Sequence, residues 1–229
     1  MTIRPILFSG PMVRALLDGR KTQTRRILKL RSGLEEKKFT GELVNYYGDH
    51  RLGMTFEGTT LVQPVGFAPG DMLYVRESWA ARLDEDHIKA SKLARSNAFF
   101  WADGPGYCCN TGCAGAAGRV RAAMHLPRRM SRLTLEVTDV RVQRLHDISD
   151  ADAKAEGIQE KEGFVVRDGK QVPGHGYFSD EENCLEGTPF WAFRRLWESI
   201  NGKGAWDENP YVAAITFKVH RCNVDKITP

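Results

Sequence analysis

A chain of 229 residues is long enough to bury a hydrophobic core without disulfides or metal staples. Its 33 basic and 29 acidic side chains leave a net charge of only +4, a poor argument by itself for a nucleic-acid partner. No window reaches the roughly 18 consecutive apolar residues of a membrane span, and the opening MTIRPILFSG lacks the pattern of a secretory leader, so a cytoplasmic protein without a membrane partner is expected.

The charge is unevenly distributed. Residues 1 to 40 carry ten Lys or Arg against three acids, and residues 119 to 144 carry seven Arg against two. Residues 145 to 209 reverse this, with fourteen acids against seven bases. In chain order, the first clear element is a helix from Pro11 to about Asp18. Ser9 is placed to cap it, Pro11 suits an early helical position, Met12, Val13, Leu16 and Leu17 form an apolar stripe, and Gly19 ends it. A strand follows the turn at Pro69-Gly70-Asp71, with Leu73 and Val75 on one face and Tyr74 and Arg76 on the other, which predicts a half-buried strand. The stretch Gly104 to Gly118, rich in Gly, Ala and Cys, reads as an irregular surface loop.

From Arg132 to Leu145 the pattern has period two, with Leu133, Leu135 and Val137 alternating with polar neighbours, and Val140 and Val142 following a bend at Asp139. Ser149 with Asp152 three positions on predicts a capped short helix that Gly157 closes, with Ile148 as a hydrophobic staple and Glu156 in its last turn. A third helix has Thr188 as cap, Pro189 in first position and Phe190, Phe193, Trp197 and Ile200 as its core face, and Gly202 stops it. Tyr211 to Val219 reads as a closing strand. Short strands and short helices without regular βαβ alternation predict one α+β domain over 1–229 with a small mixed β-barrel, flanking helices, and insertions at about 30–68 and 80–125.

The run Gly19-Arg20-Lys21-Thr22-Gln23-Thr24-Arg25-Arg26, directly after a short amphipathic helix, resembles the signature of the ASCH domain family within the PUA-like superfold. Pro69-Gly70-Asp71, Val75-Arg76-Glu77-Ser78-Trp79, the long strand, the Ile148 to Ile158 helix and the last strand follow in the order that family has, over about half of the chain. The full-length arrangement also resembles phage and prophage proteins, which brings no chemistry with it. The family resemblance implies a cleft that accepts a base. It also implies either an RNA or modified-base binder or, in one small bacterial branch, an amidohydrolase that removes acyl groups from the exocyclic amine of N(4)-acylcytidines without a cofactor. Matched residue by residue, that branch's catalytic groups fall on Lys21, Thr24 and Glu156.

Amide hydrolysis needs a nucleophile, a base that activates it and donors for the developing oxyanion. Thr24 is the candidate nucleophile. Lys21 is the candidate base if burial or the neighbouring Arg20, Arg25 and Arg26 lower its pKa. Positions three apart on a straight strand face opposite ways, so the junction after Gly19 has to bring Lys21 and Thr24 together. Glu156 would take a proton or orient water, Arg20 and Arg26 would bind substrate, and Tyr74 or Trp79 would stack on the base. Glu77 reads either as a pocket carboxylate or as the partner of a cation in a salt bridge. Cys108, Cys109 and Cys113, with His87, His125 or Cys184, could hold zinc, but the spacing lacks paired knuckles and no metal is expected. The plain alternative for Arg20 to Arg26 is a solvated basic loop that touches phosphate. A ribonuclease is a third class, for which no histidine pair stands out.

Overall fold

The computed structural model describes residues 1–34, 37–46, 51–93, 98–104, 117–167, 170–178 and 185–227. The fold is mixed α+β with mostly strands and few helices. Among the described residues the strands form one five-stranded sheet, one three-stranded sheet and two two-stranded ribbons. The chain divides into two discontinuous compact units: Met1, 20–71 and 137–217 make the first, and 2–19, 72–136 and 218–229 the second.

In the second unit, β1 (Ile3–Leu7) runs parallel to β6 (Met72–Arg76), pairing Ile3 with Met72 through Leu7 with Arg76. β6 in turn pairs antiparallel with the start of β9 (Thr134–Arg144). Tyr74 is buried as well as Leu73 and Val75, so β6 is covered on both faces rather than half buried. The helix α1 (Gly10–Leu17) buries Val13, Ala15 and Leu16, and the Ser9 side chain makes no capping bond. The short ribbon of β7 (Trp79–Ala81) and β8 (Ala98–Phe100) is built of small and aromatic side chains. It packs Trp79, Ala81, Leu93, Phe100, Leu126 and Met130 into one apolar cluster.

In the first unit, β2 (Gln23–Ile27) pairs antiparallel with β12 (Tyr211–His220), Thr24 lying opposite Ile215. The fully buried run Val212 to Ile215 makes β12 the spine of this unit. The strand order of the sheet is β1-β6-β9-β12-β2. β3 (Phe39–Tyr46), β4 (Arg51–Phe56) and β5 (Val62–Pro64) form the three-stranded sheet. Phe39 and Phe56 meet Tyr211 edge to face at 6.1 and 6.2 Å. β10 (Gln159–Arg167) and β11 (Lys170–Phe178) are an antiparallel pair. The helix α3 (Pro189–Asn201) is capped as its sequence predicts, with Thr188 accepting from Trp191 N–H at 3.3 Å. Its core stripe is Ala192, Phe193, Leu196 and Trp197, whereas Ile200 is exposed: the helix turns it away just before Gly202 ends the element. No helix of the described residues is long and apolar enough to cross a membrane.

Candidate functional site

The candidate site is built on the C-terminal end of the short helix α2 (Asp150–Ala155). Its start follows from sequence, since Ser149 Oγ accepts from the Asp152 N–H at 3.1 Å and Ile148 is buried beside it. Its end leaves carbonyls without helical partners, and the segment before β2 supplies donors for three of them in succession. Thr22 N–H donates to the Ala155 carbonyl at 2.9 Å, Lys21 Nζ to the Glu156 carbonyl at 2.8 Å, and Arg20 to the Gly157 carbonyl at 3.2 Å. Gly157, at φ 103°, adopts the left-handed conformation that lets the chain leave the helix there. Two cations therefore face the negative end of the helix.

Glu156 is the helix C-cap rather than a residue of the last turn, and its side chain is buried. Lys21 is fully buried, and its Nζ donates to Glu156 Oε2 at 2.7 Å. Arg25, also buried, donates to Glu156 Oε1 at 3.1 Å, to Gln23 Oε1 at 2.7 Å and to Asp152 at 3.0 Å. Lys21 and Arg25 converge on the Glu156 carboxylate, and Gln23, at the start of β2, accepts from Arg25. The Arg25 guanidinium lies 5.7 Å from the centre of the Phe193 ring, so α3 closes the far side of the network.

Burial pushes the Lys21 ammonium below its ordinary pKa against the opposing pull of Glu156, and Arg26 and Arg25 lower it further. Burial acts to raise the Asp152 carboxyl, but the hydrogen bond from Arg141 and the charges of Arg25 and Arg141 overcome it and leave its pKa below the usual range. Thr24 is buried on β2, and its Oγ accepts from the Arg26 guanidinium at 3.1 Å. Burial also lowers the Arg26 pKa, with Glu156 opposing it. The recorded partner of the Thr24 hydroxyl is thus a cationic donor, Arg26.

The remaining candidate residues belong to the second unit. Tyr74 is buried and its hydroxyl accepts from Arg76 at 3.1 Å. Trp79 is fully buried with the Arg121 guanidinium 4.8 Å from its ring centre. Glu77 is buried against Arg132, which donates to both carboxylate oxygens at 2.8 and 2.9 Å and also to Asp103 at 2.7 Å. Burial raises the Glu77 pKa against the hydrogen bond and charge of Arg132. For Arg132, burial opposes the charge, but Glu77 and Asp103 outweigh it and strengthen its hold on the proton. The salt-bridge reading of Glu77 thus describes its observed contacts.

Cys108, Cys109, Cys113 and Cys184 lie outside the described residues. Among the described residues no group of three or more His, Cys, Asp or Glu is placed to hold a metal ion. The partners that sequence reasoning missed are Arg25 as a ligand of Glu156, and Asp152, which it had used only as a helix-start residue. The period-two relation of Arg25 to Lys21 was the signal that could have found the first. Compared with known proteins, the chain matches no family model, and no curated protein or solved structure is significantly similar to it.

Proposed function

We propose that the protein is an amidohydrolase that removes acyl groups from N(4)-acylated cytosine nucleosides such as N(4)-acetylcytidine, on an α+β scaffold of the PUA-like kind. The observation that carries this reading is the buried Lys21–Glu156 pair at 2.7 Å beside β2, the strand that holds Thr24 and its Arg26 partner. The resemblance of residues 19 to 26 to the ASCH signature supplies the substrate class, and the physical chemistry of the pair supports the roles.

Burial and the neighbouring arginines make the Lys21 ammonium easier to deprotonate, and the neutral amine is the form able to act as a base. In the proposed reaction Lys21 takes the Thr24 hydroxyl proton as Thr24 Oγ attacks the acyl carbon, and Arg26 stabilises the negative charge. The C–N bond to the cytosine amine then breaks, the proton from Lys21 passes to that nitrogen, and an acyl ester remains on Thr24. Water hydrolyses the ester, releasing a carboxylic acid and restoring the hydroxyl. Both oxygens of Glu156 are engaged, by Lys21 and by Arg25, so its role is to hold and orient the Lys21 amine through both steps.

Purified protein mixed with N(4)-acetylcytidine should release cytidine. Lys21→Ala and Thr24→Ala should each lose about a hundredfold or more, in line with the size of general-base contributions. Absence of turnover by the wild type would sink the enzyme reading. A second reading, a non-enzymatic module for RNA or modified bases, is favoured by Arg20 and Arg26, the half-buried cations of residues 20 to 26. Binding that weakens steeply with added salt, through released counterions, would support it.

A further inference from the structure

We propose that the second unit carries a separate binding site for a phosphate monoester of nucleotide size, in the cleft between residues 87–90 and 119–125. The cleft has a volume of about 630 Å3, within the roughly 300–1,000 Å3 of sites that hold small organic ligands. Lys89, Arg119 and Arg121 line it together with His87 and His125, and none of its described lining residues is acidic. The nearby carboxylate of Asp86 pairs with Arg121 at 3.1 Å and with Arg119 at 3.6 Å. Three fixed cations against one carboxylate leave a charge of +2 (3 − 1), the complement of a phosphate dianion.

Arg121 is held in place before any ligand arrives. One terminal nitrogen donates to the Asp86 carbonyl at 2.7 Å and to Asp86 Oδ1 at 3.1 Å, and the guanidinium packs over Trp79. Its Nε is buried with no hydrogen-bond partner among the described residues. Lys89 and Arg119 are exposed at the rim, Arg119 in a long ion pair with Asp86, and both side chains can turn toward an anion. Ile88 and Val120 contribute apolar surface to the same cleft, suited to the uncharged body of a nucleotide rather than to a bare ion. All of these residues belong to the second unit, so the proposal is independent of the amide reading, which rests on residues of the first.

Calorimetric titration of the full-length protein with adenosine 5′-monophosphate, adenosine and inorganic phosphate tests it. The expected order is nucleotide tightest, phosphate weaker and adenosine undetectable. The variant Lys89→Glu with Arg119→Glu, both exposed and so compatible with folding, should weaken nucleotide binding at least about tenfold, as expected when two charge-assisted contacts are reversed. Adenosine binding as tightly as its monophosphate would overturn the proposal. So would unchanged affinity in the folded double variant, no binding of any of the three, or binding that appears only with an oligonucleotide, which would assign the charge to a nucleic-acid backbone.

Discussion

Replacing Glu156 by Ala tests how the first unit is held together. The substitution removes the shared carboxylate from Lys21 Nζ at 2.7 Å and from Arg25 at 3.1 Å, leaving two buried cations, of which Arg25 keeps Asp152 and Lys21 keeps the main-chain carbonyl of residue 156. Breaking a buried pair by deleting one partner costs about 3–5 kcal/mol, because the other charge is stranded away from water. With a urea dependence of about 2–3 kcal/mol per molar, the unfolding midpoint at pH 7 should fall by about 1–2.5 M at unchanged slope. Adding Lys21→Met in the same chain removes the stranded ammonium and keeps a similar volume, so the double variant should recover part of that loss. A Glu156→Ala midpoint within about 0.3 M of wild type, or a double variant no more stable than the single one, would refute the view that Lys21 depends on this carboxylate.

If Lys21 works as a neutral base, the rate of acyl release should rise with pH through a midpoint below the ordinary lysine value of 10.5, since burial favours the uncharged amine. Lys21→Arg, which stays protonated, should abolish turnover at every pH between 6 and 10 by about a hundredfold or more, read from initial rates. The Glu77 carboxyl is raised by burial, so the folded state binds its proton more tightly than the unfolded chain. Stability from this group is then complete below the ordinary glutamate value of 4.5 and lost as pH rises through the higher folded value. Urea midpoints of Glu77→Gln should lack that downward component. Gly157→Ala places a Cβ on a backbone at φ 103° and should cost about 1–2 kcal/mol, measured as a lowered thermal midpoint, together with slower turnover because it moves the Glu156 cap. An unchanged midpoint would show that the turn relaxes freely.

Elements defined by local chemistry were legible in the sequence. Ser149, Thr188 and the glycines at 157 and 202 fix the ends of α2 and α3 through bonds and backbone angles that depend on a few adjacent residues. The alternation from Leu133 onward showed β9 for the same reason. The paired strands β3, β4 and β5 were not foreseen, because their apolar residues, such as Met54 and Phe56, are spaced among glycines and charges and gain their meaning only from partners such as Tyr211. The β10–β11 pair was missed although Asp168-Gly169, between Arg167 and Lys170 in the sequence, is a common hairpin dipeptide. The expected core position of Ile200 failed because a helical stripe drifts, and the last turn of α3 rotates that residue into solvent. At the site, residue types and order were readable, but the double engagement of Glu156 was not, since it depends on contacts far apart in the chain.

The Lys21–Glu156 contact joins residues 135 positions apart, and the neighbouring bonds of Arg20 and Thr22 to α2 span similar distances. While the chain is being synthesised, a strongly basic segment therefore emerges long before the Glu156 carboxylate that bonds both of its buried cations. Closing so large a loop is slow relative to forming local helices, which places this contact among the later events of folding. Until then the segment is a polycation whose two buried cations lack their shared carboxylate. Any chain released before α2 is made would thus carry the charge of residues 20 to 26 without the group that pairs it.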